Sequence, residues 1–159
     1  MKDPFMDKTL DRIDRKLLRL LQQDGRTSNA DLARQANLSP ATCYRRTQRL
    51  FEDGFIRSVR AQVAPEAVDL ATLAIVGVVL DRSTPDSFAA FETAARAMPA
   101  ILDCYLVAGD FDFFVKIRVR DIHDFSRLHA SELIALPCVL QTRTFFVMKE
   151  VVDNRPLAI

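Results

Sequence analysis

The chain has 159 residues, 22 Lys+Arg against 21 Asp+Glu, a net charge of +1 and 49% apolar content. That is enough apolar material for one domain or two small ones with real cores. The longest apolar run, residues 70–80, falls well short of the ~20 residues that span a bilayer. The first ten residues alternate charges without an apolar stretch, so neither a membrane span nor a signal peptide is expected. Three widely spaced cysteines, Cys43, Cys104 and Cys138, make neither a disulfide framework nor a zinc pattern. They read as reduced packing residues of a soluble, cytoplasmic protein.

The charge is unevenly spread. Residues 1–63 hold thirteen Lys+Arg and eight Asp+Glu, a net +5, and residues 64–159 hold nine and thirteen, a net −4. A basic module for a polyanion, joined to an acidic remainder, is the natural reading. Residues 1–9 look like a loose arm. Leu10, Ile13, Leu17, Leu20 and Leu21 then mark the inner stripe of a first helix, which Asp24-Gly25 ends. Ser28 caps a second helix with Asp31 in a capping-box position, and Leu32, Ala33 and Ala36 face inward. Asn37 suits a left-handed turn. Ser39 caps a third helix, Pro40 takes its first position and Gly54 stops it, with Phe55 able to fold back onto its last turn.

On the third helix Cys43, Thr47 and Leu50 recur at core spacing, while Thr42, Arg45, Arg46 and Arg49 share the other side. Three helices with a tight turn before a basic one predict a helix-turn-helix. A short basic helix entered through Ser-Pro is what the major groove of DNA accepts. The stretch from Ile56 to Val63 alternates like a half-buried strand, with Arg57 and Arg60 behind the basic helix. Residues 1–63 therefore outline a winged-helix-like DNA-binding domain, and residues 64–71, with Pro65, read as a linker.

Residues 72–159 read as a doubled strand-helix-strand unit. Strands are predicted at residues 72–80, 101–108, 113–119 and 139–148. One helix opens at Thr84-Pro85 with Phe88, Phe91, Ala95 and Met98 on one side. A second is capped by Asp121 with Ile122, Phe125, Leu128 or His129, Leu133 and Leu136 inward, and Pro137 stops it. This is the α+β, ferredoxin-like βαββαβ arrangement, an αβ-sandwich with a four-stranded antiparallel sheet and both helices on one face. Both sides of the first strand are apolar, so the uncovered face predicts a partner, most simply a second copy in a symmetric homodimer. Two basic helices would then suit a two-fold DNA site.

The turn Gly109-Asp110-Phe111-Asp112 offers two carboxylates and free backbone N–H groups, a combination that suits a zwitterionic amino acid. The same residues are also ordinary hairpin material. Thr142 and Thr144 could add hydroxyls. His123 and His129 lie six apart, and no nucleophile elbow, phosphate-binding glycine loop or metal spacing occurs. No catalytic residue, metal or cofactor is expected. His129 reads as a core-edge histidine.

Taken together, residues 10–15 (Leu-Asp-Arg-Ile-Asp-Arg), 20–26, Leu38-Ser39-Pro40 with Cys43, Arg46 and Leu50, Gly54-Phe55-Ile56, residues 107–112 and Thr142-Arg143-Thr144 resemble the Lrp/AsnC (feast/famine) family of transcriptional regulators. The resemblance implies a DNA-binding helix-turn-helix domain and an αβ-sandwich for oligomerisation and effector response. It further implies dimers assembling into octamers, and amino-acid effectors held between dimers. DNA contacts would fall to Ser39, Thr42, Arg45, Arg46, Gln48 and Arg49. Effector contacts would fall to Leu106, Gly109, Asp110, Asp112, Ile122, Leu136, Pro137, Thr142, Thr144, Phe145, Phe146 and Val147. Three positions depart from the family pattern: Thr47 and Gln48, where an aliphatic and a basic residue are usual, and Phe51, where an acid is frequent. The rival readings are a small-molecule enzyme or binding protein built on the sandwich, and a protein scaffold using its open face.

Overall fold

The computed structural model describes residues 8–82 and 84–159, so the arm at residues 1–7 lies outside the described residues. The chain forms two compact units, residues 1–62 with 152–159, and residues 63–151. Grouping Val152–Ile159 with the N-terminal unit differs from the expectation of one domain over 72–159. The tail is held to the first helix: Gln22 exchanges hydrogen bonds with the Leu157 backbone, accepting from its N–H at 2.8 Å, and Arg19 donates to the Ile159 carbonyl at 2.9 Å.

The N-terminal unit contains α1 (Arg12–Gln23), α2 (Asn29–Ala36) and α3 (Pro40–Glu52). Its core is Leu17, Leu18, Leu32, Ala33, Ala36, Cys43 and Leu50, with Phe55 and Ile56 packed against it. Three caps set the helix ends. Asp11 and Asp14 form a reciprocal capping box on α1, which the sequence reading overlooked. Ser28 accepts the Asp31 N–H on α2, and Asp31 in return accepts the Ser28 hydroxyl rather than its backbone. Asn37 takes the left-handed conformation at φ 57°, and Ser39 caps α3 through the Thr42 N–H. Gly54, at φ 80°, reverses the chain after α3, so that the Ile56 N–H reaches the Leu50 carbonyl.

The expected strand at residues 56–63 does not form. A strand needs a neighbour for its N–H and C=O groups. Residues 57–64 run exposed, with no pairing segment among the described residues. One 3₁₀ turn, Pro65–Val68, follows.

The second unit is a four-stranded antiparallel sheet of β1 (Thr72–Leu80), β2 (Ile101–Leu106), β3 (Phe113–Val119) and β4 (Val139–Phe146), in the order β2-β3-β1-β4. Two further helices are α4 (Ser87–Ala97) and α5 (Ile122–Leu128), the latter running into a π turn at His129–Leu133. The register gives each face its own rows. Leu106, Phe113, Val78 and Thr142 lie side by side, as do Cys104, Val115, Val76 and Thr144. Phe91 meets Phe113 at 4.6 Å and Phe125 meets Phe146 at 5.1 Å, so α4 and α5 cover this one face.

The other face carries the row Tyr105, Phe114, Gly77, Arg143. Phe111 folds over the bare backbone of Gly77, where a Cβ would stand only 2.7 Å from its ring. The expected open face is therefore partly capped by the chain itself, and it is mixed in chemistry. The Arg118 side chain is 9% exposed and donates to Glu150 at 2.5 Å, while its Nη1 is buried with no partner among the described residues.

Two other expectations change. Ile122, expected inward, is 62% exposed, because it begins α5 before the buried stripe at Phe125. The cysteines are not alike: Cys43 is buried, Cys104 is exposed, and Cys138 holds a left-handed φ of 61° where the chain enters β4. A side chain in that conformation costs roughly 1–2 kcal/mol, and glycine avoids the cost. Cys138→Gly is expected to raise the unfolding free energy by about 0.5–1 kcal/mol, measured as a later urea midpoint at unchanged slope.

Candidate functional site

Helix α3 presents an outer face of Ala41, Tyr44, Arg45, Gln48 and Glu52, all exposed, opposite the buried Cys43 and Leu50. The three arginines on this helix are not equivalent. Asp14 is 1% exposed, and its two oxygens accept Arg46 Nη1 at 2.8 Å and Arg49 Nη2 at 2.5 Å. Arg46 Nη1 also donates to Asp11 at 2.7 Å, and the two carboxylates push its guanidinium pKa upward, Asp11 first. The Arg46 side chain is only 25% exposed. Arg46 therefore ties α3 to α1, and Arg49, still half-exposed, shares that tie. Of the three, Arg45 alone is exposed without an ion pair among the described residues.

Asp11, Arg45, Arg46, Arg49 and Glu52 line a depression of about 390 Å³, so two carboxylates stand among the three cations. Of the other expected DNA contacts, Ser39 and Thr42 hydrogen-bond to each other at 2.8 Å at the helix entrance, and Gln48 donates to the Tyr44 phenol at 2.8 Å. Tyr44 was missed by sequence reasoning, although its position one turn before Gln48 places it on the outer side. Thr47 is half-buried, its hydroxyl oxygen enclosed beside the Cys43 thiol, a weak donor.

In the second unit, the expected effector residues separate. Asp112 is buried. It accepts the Leu80 N–H at 2.9 Å and pairs with Arg82, so it holds the turn to the end of β1. Its backbone N–H donates to the Val78 carbonyl, which places Gly109 and the exposed Asp110 at the same sheet end as Thr142. Leu106 and Thr142 sit at opposite ends of one row, with Phe113 and Val78 between them. Three strand spacings, about 14 Å, part them.

Thr142 is bonded to His129 Nε2 at 2.8 Å, so His129 joins the expected set. Thr144 and Phe146 lie on the helix-covered face with Thr142, whereas Phe145 lies on the other, edge-on to Phe111 at 6.3 Å. Leu136 and Val147 are half-buried; Ile122 and Pro137 are exposed. One subunit does not gather these residues around one small ligand. Among the described residues no group of His, Cys, Asp and Glu could hold a metal, and no helix is long and apolar enough to cross a membrane.

Residues 10–50 match the AsnC-type helix-turn-helix domain, and residues 73–157 match the Lrp/AsnC ligand binding domain. The chain belongs to the Lrp/AsnC family. The leucine-responsive regulatory protein of Escherichia coli (strain K12) is 43% identical over 152 residues, which cover 96% of this chain and 93% of that protein. A transcriptional regulator from Neisseria meningitidis, solved with L-methionine, is 31% identical with a TM-score of 0.89, over 94% of this chain and 97% of that one. A feast or famine regulatory protein from M. tuberculosis, also complexed with L-methionine, is 30% identical with a TM-score of 0.85, over 92% and 97%. As an Lrp/AsnC protein the chain is a DNA-binding transcriptional regulator, and its helix-turn-helix is no accessory to the sandwich.

Within this Lrp/AsnC domain the Asp14 cluster generates two predictions. Arg46→Ala is expected to destabilise the N-terminal unit by about 1–3 kcal/mol, because it removes one of the two cations on a buried carboxylate; calorimetry on the intact chain reads the loss. Asp11 has its pKa lowered from 3.8 to about 2, first by the Asp14 N–H and then, against desolvation, by Arg46. A carboxyl that ionises more readily when folded contributes fully above its unfolded value and loses that contribution as pH falls from about 4 through about 2. Asp11→Asn keeps a capping side chain but no titration, so its urea midpoint should fall less than that of the parent between pH 5 and pH 2.5.

Proposed function

We propose that this Lrp/AsnC regulator is a cytoplasmic homo-oligomer whose DNA binding responds to a free amino acid. The observation that carries the reading is the spread of the expected effector residues. Leu106 at one sheet edge and Thr142 at the other are about 14 Å apart, farther than one amino acid reaches. A pocket shared by neighbouring copies would bring one subunit's Leu106 edge beside another's Gly109–Asp112 turn and Thr142. Two relatives named above, each solved with L-methionine, support an amino acid as the ligand class. The uncaptured apolar groups on the far sheet face, with Phe145 exposed and the buried Arg118 Nη1 lacking an acceptor, support pairing of copies through that face. Dimers assembling further, to an octamer, complete the reading. Asp110 is the free carboxylate for the ammonium group, since Asp112 is engaged by Arg82 and Leu80.

The test is a salt titration of binding to the DNA upstream of the protein's own gene, with and without each of the twenty amino acids. Affinity should fall steeply with salt as condensed ions return to the phosphates. One or a few amino acids should shift it by about 5- to 150-fold, a coupling of typically 1–3 kcal/mol. Arg45→Ala should reduce the log–log salt slope by about 1 while weakening all sequences alike. An affinity indifferent to every amino acid would overturn the effector reading and leave DNA binding standing.

A further inference from the structure

The outer face of α3 holds one polar pair that the core does not require. Tyr44 is 57% exposed, although its ring is apolar and the helix could have buried it, and Gln48 one turn later donates an amide N–H to its phenol at 2.8 Å. Neither residue packs into the helical core. The hydrogen bond fixes the carboxamide. With one N–H engaged, Gln48, exposed to solvent, keeps one N–H donor beside its carbonyl acceptor.

We propose that Tyr44 and Gln48 form a base-reading pair that selects an A·T base pair in the major groove. This rests on α3 being the DNA-reading helix. Adenine presents an acceptor, N7, beside a donor, the N6 amine, and a carboxamide with one free N–H and one free carbonyl matches both at once. Guanine presents two acceptors, N7 and O6, and Gln48 has a single N–H left for them. Its thymine partner offers O4 and a methyl group; the Tyr44 hydroxyl, which accepts from Gln48, retains its own proton for O4, and the ring edge meets the methyl. The arginines that would otherwise read guanine are drawn towards α1: Arg46 and Arg49 both point into Asp14. Base selection then falls to the Tyr44–Gln48 pair, while Arg45, exposed and unpaired, suits a phosphate.

The experiment is selection from a randomised duplex library with the full chain, followed by affinity measurements on the selected site, for the parent, Gln48→Ala and Tyr44→Phe. The parent should select an A·T pair at one position in each half-site. Gln48→Ala should lose that preference and bind the selected site at least about fivefold more weakly, with unchanged affinity for unrelated DNA and an unchanged salt slope. Tyr44→Phe keeps the ring and removes only the hydroxyl, so it should weaken discrimination at that same position and no other. Both side chains are exposed, and matching thermal melts confirm that the variants fold. A selected motif unchanged by Gln48→Ala overturns the proposal, as does a Tyr44→Phe effect spread evenly over all positions. A parent that binds no duplex in the library would overturn the DNA-reading role of α3 itself, and the pair's role with it.

Discussion

Asp14 organises the N-terminal unit because a carboxylate withdrawn from water must be answered where it stands. Its charge meets Arg46, Arg49 and the Asp11 N–H. Leaving such a charge unpaired costs several kcal/mol. The energetic requirement becomes a geometric one: α3 is held against α1 at two points a turn apart, and its rotation about its own axis is set. Which residues of α3 face outward follows from that rotation. Two of the three arginines that make the helix look basic are engaged in fixing it, Arg49 staying half-exposed, and the outward face is carried by Tyr44, Arg45 and Gln48.

The second unit repeats the device. Asp112 is buried, accepts a backbone N–H from Leu80 and pairs with Arg82, so one carboxylate fixes the loop from Gly109 to the end of β1. Phe111, between the two aspartates, lies over Gly77 on the face away from the helices, where only a residue without a Cβ leaves room. The loop that carries the expected effector chemistry is thus anchored on one side by an ion pair and on the other by an aromatic ring. Its exposed members, Gly109 and Asp110, are presented by a rigid base, which suits a site that must hold a small polar ligand in one orientation.

Much of this was legible from the sequence, and for a physical reason. Caps, periodicity and turn residues are local signals. Ser28, Asn37, Ser39-Pro40 and Gly54 state their roles within a few residues of themselves, the alternation in β3 states its own, and β1 is an unbroken apolar run. What stayed hidden depends on residues far apart in the chain. Asp14 and Arg46 are 32 positions apart, and nothing near Arg46 announces that its charge is already spent. Residues 56–63 have the pattern of a strand, but a strand exists only if another segment pairs with it. Phe145 and Phe146 are neighbours in sequence and serve opposite faces, so a list of effector residues drawn up by position alone mixes two surfaces.

The same separation bears on how an amino acid could alter DNA binding. A ligand shifts an equilibrium only by interacting differently with its two states. Within one subunit the Leu106 edge and the Thr142 edge are held apart by Phe113, Val78 and the buried core beneath them, and a close-packed core of that kind does not flex to bring its edges together. If the ligand completes a pocket between copies, what it stabilises is the arrangement of those copies, and the spacing of their α3 helices along the DNA changes with it. On that reading the coupling runs through units that move as bodies, and the ion pairs of Asp14 and Asp112 tie together the segments within each unit.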